Sequence, residues 1–229
     1  YLPKVNKRIP SFIRPKIKSY LKINHPQRIL DIGCGLGNTI HLQSSKEAII
    51  ALSKKGWEVY GIEVSNEARK ILNKKGIKNI FADLFQAKLL DNYFDIVRLN
   101  WSLEHTHHPS LYLSECKRIL KENGKLIITV PNYNGITYKI FQDCVEFPIH
   151  LYYFNTNTFK KYCEKLNLRI IDYYTFSYVP LFLESIRLMQ PILYKYYMAH
   201  PSETIKLNEF LKVMGKLELG DDMVFCLSK

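Results

Sequence analysis

Short apolar runs alternate with helix-forming stretches along this chain, and that alternation limits its possible folds more than any other feature. Four early runs are apolar and contain β-branched residues, at 28–32, 57–62, 94–100 and 125–130, and a weaker fifth lies at 78–82. Strands that alternate with helices are typical of β-α-β units, in which the strands run parallel and helices cover both faces of the sheet. The sequence therefore predicts an α/β domain with a parallel sheet.

A helix is predicted after the run at 94–100. Pro109 favours a first turn, because the N–H that proline lacks is not used there. The apolar spacing predicts that this helix buries Leu111, Cys116, Ile119 and Leu120. Asn123-Gly124 is typical of a helix end, so we expect the helix to stop there.

The C-terminal third has a different character. A helix capped by Thr156 or Asn157 is predicted, then a strand at 168–174, and a last strand at 223–227. Between those two strands lies a long aromatic insertion that is predicted to be helical. We expect a basic N-terminal helical segment at residues 1–27 and one domain at 28–229, with cap insertions near 133–154 and 178–220.

The formal net charge is +12, and no acidic residue precedes Asp31. A basic face attracts phosphates, nucleotide-sugars, membrane surfaces or nucleic acid; the alternative is a lysine-rich surface with no specific partner. No apolar run is long enough for a transmembrane helix, and no signal-peptide core is recognised. The cysteines lack metal-ligand spacing, which indicates free thiols in a reducing, cytoplasmic location. They are Cys34, Cys116, Cys144, Cys163 and Cys226.

A glycine-rich turn, Gly33-Cys34-Gly35-Leu36-Gly37, follows the first predicted strand directly. Glycines allow a sharp turn and let a ligand approach the main chain closely. The spacing is G-x-G-x-G and no lysine follows it, which excludes a P-loop. Asp31 lies at the start of this turn, where its charge is expected to repel a pyrophosphate and attract a cationic amino acid ligand.

With this turn and the motifs that follow it in order, residues 28–174 resemble the class I S-adenosylmethionine-dependent methyltransferase family. The resemblance implies a Rossmann-like seven-stranded, mostly parallel sheet with helices on both faces, an antiparallel last strand and a helical cap insertion. It also implies S-adenosyl-L-methionine as the cofactor and S-adenosyl-L-homocysteine as the product.

The resemblance also assigns cofactor-binding residues. In the family, an acid at the position of Glu63 binds both ribose hydroxyls, and an acid at that of Asp83 accepts from the adenine amino group. The alternative is that Asp31, Glu63 and Asp83 are solvated loop acids. The full expected set is Asp31, Gly33, Cys34, Gly35, Gly37, Glu63, Val64, Asp83, Leu84, Asn100, Trp101 and Ser102.

Two segments carry candidate catalytic residues. Leu103-Glu104-His105 and the segment around His150 are similar to the L-E-H and P-x-H-x-x-x-F segments of a subfamily that includes the ubiquinone-biosynthesis O-methyltransferases. Methyl transfer to a hydroxyl needs a proton acceptor, so Glu104, His105 and His150 are expected to be catalytic. For each histidine the alternative is a structural role in a loop. Some relatives bind a divalent metal with an added acid at the position of Trp101, so no metal site is expected here.

The sequence thus predicts O-methylation of a small-molecule, sugar or glycolipid acceptor, as in polysaccharide biosynthesis, and no nucleic-acid partner. One alternative is a nucleic-acid methyltransferase, although residues 100–103 lack the D/N-P-P-Y type of segment. Another is a catalytically silent, cofactor-binding partner subunit. The aromatic insertion is either a cap packed on the sheet, a dimer contact or a lipid-facing surface that acts with the basic segment on an anionic or lipid-linked acceptor. The oligomeric state stays open.

Overall fold

The computed structural model describes residues 27–37, 49–141 and 149–229. Within these ranges, seven strands form one sheet in the order β3-β2-β1-β4-β5-β7-β6. Strands β1 to β5 are parallel to one another, and β7 is antiparallel to both β5 and β6. The predicted mostly parallel sheet with an antiparallel last strand is confirmed. The strands are β1 Arg28–Ile32, β2 Glu58–Ile62, β3 Asn79–Phe81, β4 Phe94–Asn100, β5 Leu120–Pro131, β6 Arg169–Phe176 and β7 Asp222–Ser228.

Helices cover both faces of the sheet, because successive strand residues point to opposite sides. Ile29 of β1 packs on one face with residues of α1 and α2, whereas Leu30 packs on the other with residues of α3 and α5. Both faces are apolar, as expected for strands buried on two sides. The helices are α1 Ile49–Ser53, α2 Asn66–Lys74, α3 Pro109–Ile119, α4 Ile136–Phe141, α5 Thr156–Lys165, α6 Val179–Met189, α7 Pro191–Ala199 and α8 Pro201–Lys216.

The end of α3 differs from the prediction. The helix stops at Ile119, and the predicted end at Asn123-Gly124 is wrong because these residues lie inside β5. Strand β5 begins at Leu120, which is fully buried and is paired with Phe94 of β4. Pairing with a distant strand therefore overrides the local turn preference of Asn-Gly.

Two further details of the helices differ as well. Leu111 of α3, predicted to be buried, is exposed. The cap of α5 is Asn155 and not Thr156 or Asn157: its side chain accepts from the Thr158 N–H at 2.9 Å, and the Thr158 hydroxyl accepts from the Asn155 N–H at 3.0 Å. This reciprocal pair is a capping box, and it places the start of the helix.

Helices α6, α7 and α8 form a helical cap with an apolar cluster of its own. Within the described ranges, no helix combines the length and the apolar content needed to cross a membrane. Cys34, Cys116, Cys163 and Cys226 are buried free thiols. Cys144 and, apart from Gln27, the predicted N-terminal helical segment lie outside the described residues.

Candidate active site

The site lies where the strand order changes direction. From β1 the chain proceeds to β2 and β3 on one side, and then to β4 and β5 on the other. In open α/β sheets, ligands bind at such a switch point, beside the carboxyl ends of the strands. The glycine turn after β1, Glu63 after β2 and the segment after β4 all lie at this edge.

Glu63 holds the glycine turn with its carboxylate. Its Oε2 accepts a hydrogen bond from the Gly35 N–H at 2.8 Å, and its Oε1 accepts one from the Ser65 N–H at 2.8 Å. Each carboxylate oxygen has two lone pairs, so each keeps the capacity to accept a second donor. Glu63 is half-buried, which leaves these oxygens within reach of a ligand.

Two glycines of the turn have different physical roles. Both have a positive φ, +74° at Gly33 and +52° at Gly35. A Cβ at Gly33 would lie 2.6 Å from the Cβ of Ser102, so glycine is needed there for packing. A Cβ at Gly35 would meet no atom of the described residues within 4 Å, so none of them covers the main chain at Gly35. Gly35 is thus the position at which a ligand can lie against the turn.

Asp31 was expected to attract a cationic ligand, but its carboxylate already has a cationic partner. It is buried, and Arg98 of β4 donates to both carboxylate oxygens, with Nε–Oδ1 at 3.1 Å and Nη2–Oδ2 at 2.5 Å. A carboxylate already neutralised by a buried guanidinium attracts a second cation poorly. The expected contact between Asp31 and a cationic ligand is therefore not supported. The pair of Asp31 with Arg98 instead links β1 to β4 directly before the glycine turn.

The other expected cofactor residues divide into core and surface positions. The side chain of Leu84 is fully buried in the core, so only its backbone can meet a ligand. Cys34 is likewise buried, and burial raises the pKa of its thiol. Val64 is exposed at 84%, directly after Glu63. Asp83 is half-buried, and its Oδ1 accepts from the N–H groups of Phe85 at 3.0 Å and Gln86 at 2.9 Å.

Two polar side chains, those of Asn100 and Ser102, lie at the end of β4 and just after it. Asn100 accepts from the Thr129 hydroxyl at 3.2 Å, while its Nδ2 is a buried donor with no acceptor among the described residues. A buried donor of this kind indicates a missing partner, such as a ligand. The Ser102 hydroxyl donates to the Ile32 carbonyl at 2.9 Å. Ser102 thereby ties the segment after β4 to the glycine turn.

Trp101, between them, has a positive φ of 47°. Its indole N–H donates to Asp222 at 2.7 Å, and its ring packs against the core on the side of α1 and α2. A non-glycine residue in this backbone region marks local strain that the surrounding structure must hold in place. The expected contact of Trp101 with a cofactor stays a prediction.

The structure brings the three expected catalytic residues together. Glu104 and His105 belong to a 3₁₀ turn, Leu103–His105, directly after Ser102. His150 arrives from a distant segment that is held in place when the N–H groups of Leu151 and Tyr152 donate to the Glu104 carbonyl, at 2.9 and 3.2 Å. The rings of His105 and His150 lie 4.8 Å apart.

The two histidines differ in their fitness as bases. Nδ1 of the exposed His105 lies 3.2 Å from the Ile149 carbonyl oxygen, which can only accept. The proton of neutral His105 is therefore on Nδ1, and the lone pair on Nε2 is directed away from that bond. His150 is buried, and burial, together with the nearby His105, lowers its pKa to about 4. The lowered pKa makes His150 a weak base at neutral pH, which leaves His105 as the candidate base.

The same three side chains could hold a metal ion. One ligand atom from each of Glu104, His105 and His150 lies within 4.8 Å of the others. Two imidazoles and a carboxylate are a donor set for divalent transition metals. The sequence argument against a metal, based on Trp101, did not anticipate His150 as the third donor.

Aromatic side chains lie beside His150. The ring of Tyr153 is 6.3 Å from His150 and 5.6 Å from Tyr133, which in turn is 5.3 Å from Tyr138. Tyr133 is half exposed. We call Tyr133, Tyr138 and Tyr153 the tyrosine cluster; it is a surface on which the apolar face of a small molecule can pack.

Sequence reasoning missed the partners of these residues. Arg98 is a charged residue within the otherwise apolar run at 94–100, and a charge buried in a parallel strand requires a counter-ion. That signal could have identified the Asp31 pair. Asp222 and the carbonyl of Ile149 carry no local signal, because their roles depend on distant pairing.

Comparison with known proteins agrees with the fold. The family model described as a methyltransferase domain matches residues 5–173. The ubiquinone biosynthesis O-methyltransferase of Glaesserella parasuis is 24% identical over 153 residues, 62% of this chain and 61% of that protein, so the chain spans less than two thirds of this relative.

Two solved structures have the same fold. A SAM-dependent methyltransferase from Archaeoglobus fulgidus matches with a TM-score of 0.60 and 20% identity, covering 93% of this chain and 90% of that one. The Haemonchus contortus phosphoethanolamine N-methyltransferase 2, in complex with S-adenosyl-L-methionine, matches with a TM-score of 0.58 and 19% identity, covering 93% and 51%. From the family match, this chain belongs to the methyltransferase-domain family.

Proposed function

We propose that this chain transfers the methyl group of S-adenosylmethionine to a hydroxyl oxygen of a small-molecule, sugar or glycolipid acceptor. The observation that carries the proposal is the contact between Glu63 and Gly35 at the switch point of the sheet. Ser102 links that turn to the segment with His105, so the ligand side and the base share one edge. The SAM-dependent methyltransferases among the solved structures of this fold support the choice of cofactor.

The residues present fit that cofactor. The two oxygens of Glu63 suit a ribose diol lying against Gly35, whose main chain is not covered by any described residue. Asp83 accepts the N–H groups of Phe85 and Gln86 with Oδ1, so its Oδ2 can accept a hydrogen bond from a ligand. The buried Nδ2 of Asn100 needs an acceptor. S-adenosylmethionine, when bound, supplies a methyl group activated by its sulfonium charge.

His105 is the proposed base. Its bond to the Ile149 carbonyl fixes the tautomer with Nε2 as proton acceptor, an arrangement that also orients the ring. The low pKa of His150, about 4, keeps that ring neutral at neutral pH, so His150 adds no positive charge beside His105 there. His150 is therefore a positioning residue in this proposal, as is the buried Glu104, whose carbonyl holds the segment of His150.

The acceptor is proposed to pack on the tyrosine cluster. Aromatic faces bind both planar rings and the apolar faces of sugars, so the cluster fits each of the acceptor classes named above. The relative that is named for ubiquinone biosynthesis O-methylation favours testing a phenolic hydroxyl first. A nucleotide-sugar and a glycolipid test the other classes.

The test of this function measures binding and transfer separately. Calorimetry with S-adenosylhomocysteine is expected to give saturable binding that weakens about 10–100-fold in Glu63→Gln, since a charged acceptor is lost. The matched control is Glu67→Gln, an exposed acid in the first turn of α2. An absence of saturable binding in the unsubstituted chain would refute the proposal.

Methyl transfer is measured with S-adenosylmethionine that carries a radiolabelled methyl group, using one acceptor from each of the three classes. His105→Ala is expected to lower turnover by about 10²–10⁴-fold with little change in cofactor affinity. His107→Ala, an exposed histidine in the same loop, is expected to leave turnover unchanged. Binding without transfer to any acceptor would indicate a silent partner subunit, and transfer to RNA or DNA alone would indicate a nucleic-acid methyltransferase.

A further inference from the structure

Helix α7 is composed mostly of apolar and aromatic residues and yet has no buried residue. Its sequence is Pro-Ile-Leu-Tyr-Lys-Tyr-Tyr-Met-Ala, with one charge, Lys195. Tyr194 and Tyr197 are half-buried against the apolar cluster of the cap. The remaining large apolar side chains are exposed: Ile192 at 85%, Tyr196 at 47%, Met198 at 45% and Leu193 at 43%.

An apolar helix normally lies in a core or in lipid, because exposing it to water is unfavourable. The neighbouring helices enlarge the exposed surface, with Leu188 at 50% and Met189 at 43% at the end of α6, and Ile205 at 66% on α8. Several exposed apolar side chains on three successive helices indicate an interaction site.

The charge that α7 itself carries is basic, that of Lys195. The helix has no acidic residue, and the flanking acids are already paired: Glu184 with Arg187 at 2.5 Å, and Glu203 with Lys206 at 2.8 Å. Two copies of this face would bring Lys195 close to its own counterpart without an acid between them. An anionic surface instead matches the charge of the helix and of the whole chain, which is +12.

We infer that α7, with the adjoining ends of α6 and α8, is a docking surface for an anionic lipid bilayer. Ile192 and Leu193 enter the interfacial region, Tyr196 lies between them around the helix at the level of the headgroups, and Lys195, on the adjoining side, faces the anionic phosphates. Aromatic and aliphatic side chains interleaved with lysine are the composition of helices that lie on a membrane surface. This surface does not depend on the proposed methyl transfer, since it lies on the cap.

The test uses the full chain without cofactor, in flotation with vesicles of phosphatidylcholine alone or mixed with phosphatidylglycerol. Binding to the mixed vesicles is expected, at least tenfold weaker in Ile192→Asp and in Tyr196→Asp. Lys195→Gln is expected to weaken binding to the mixed vesicles severalfold. The control is Leu90→Asp, an apolar residue exposed at 65% before β4, which is expected to bind as the unsubstituted chain does.

Three results would overturn the inference. One is the absence of binding to mixed vesicles. Another is binding that Ile192→Asp leaves unchanged, which would move the contact to another basic part of the chain. The third is a dimer in sedimentation that Ile192→Asp dissociates, which would make a second copy the occupant. Circular dichroism of each variant is the check that these substitutions at exposed positions leave the fold intact.

Discussion

The guanidinium of Arg98 faces the carboxylate of Asp31 across the β1–β4 pair, and the two side chains are exposed by only 1% and 6%. Removing one partner of a buried ion pair leaves the other charge poorly solvated, at a cost of about 3–5 kcal/mol. Asp31→Asn is therefore expected to lower the free energy of unfolding by about that amount. Urea denaturation measures the change.

The exposed pair between Arg28 and Glu58, 2.7 Å apart in the same part of the sheet, supplies the control. Its partners are exposed by 40% and 43%, so water already solvates both charges. Glu58→Gln is expected to lower the free energy of unfolding much less than Asp31→Asn does. Equal losses of unfolding free energy in the two variants would mean that the buried pair of Asp31 with Arg98 stabilises the fold no more than the exposed pair does.

The sequence predicted the sheet well but not its ionic interior. Residues 28–32 and 94–100 were expected as strands from their apolar runs, and β1 and β4 have those bounds. The start of β5 at Leu120 was missed, because it depends on pairing with Phe94 and on the ion pair of Lys121 with Asp95 at 2.7 Å. Such contacts are not encoded in the local pattern.

The candidate site was predicted in part for the same reason. The carboxyl ends of neighbouring parallel strands lie at the same edge of a sheet, so the sequence alone predicted that Glu63 is close to the glycine turn. The burial of His150 and the bond from His105 to the Ile149 carbonyl arise from a segment that returns to the sheet much later in the chain. The choice between the two histidines therefore needed three-dimensional geometry.

Gly35→Ala tests the open face of the turn. Its φ of +52° makes alanine unfavourable by roughly 1–2 kcal/mol. The added Cβ also enters the space proposed for the ligand, so affinity for S-adenosylhomocysteine is expected to fall at least tenfold by calorimetry.

Gly76→Ala is the matched control for that substitution. Gly76 has a φ of +86°, and a Cβ there also meets no atom within 4 Å in the part of the chain that the structure describes, but it lies before β3, at the other edge of the sheet. We expect a comparable loss of stability and unchanged affinity. If both variants bind equally well, the space above Gly35 is not the ligand site.

His150 predicts a pH dependence of stability. Its pKa in the folded chain, about 4, lies below the 6.5 of an unfolded histidine, so between these values the unfolded chain binds the additional proton. The free energy of unfolding is therefore expected to rise with pH from about 4 to 6.5 and to lose that part of its slope in His150→Gln. His108→Gln, an exposed histidine, should keep the slope. A slope that survives in His150→Gln would contradict the assignment.

Metal dependence separates two ways of ionising the acceptor hydroxyl. If His105 is the base, the lone pair on its Nε2 must be available for a proton. A metal bound by Glu104, His105 and His150 would occupy that lone pair and remove the base. Turnover is therefore expected to be unchanged by EDTA and to be inhibited by micromolar Zn²⁺, with EDTA restoring it. In His105→Ala the residual turnover should lose most of its sensitivity to Zn²⁺, because one ligand is gone. Loss of turnover in EDTA that a divalent cation restores would instead show that the three side chains hold a metal which ionises the acceptor, and that His105 serves as a ligand.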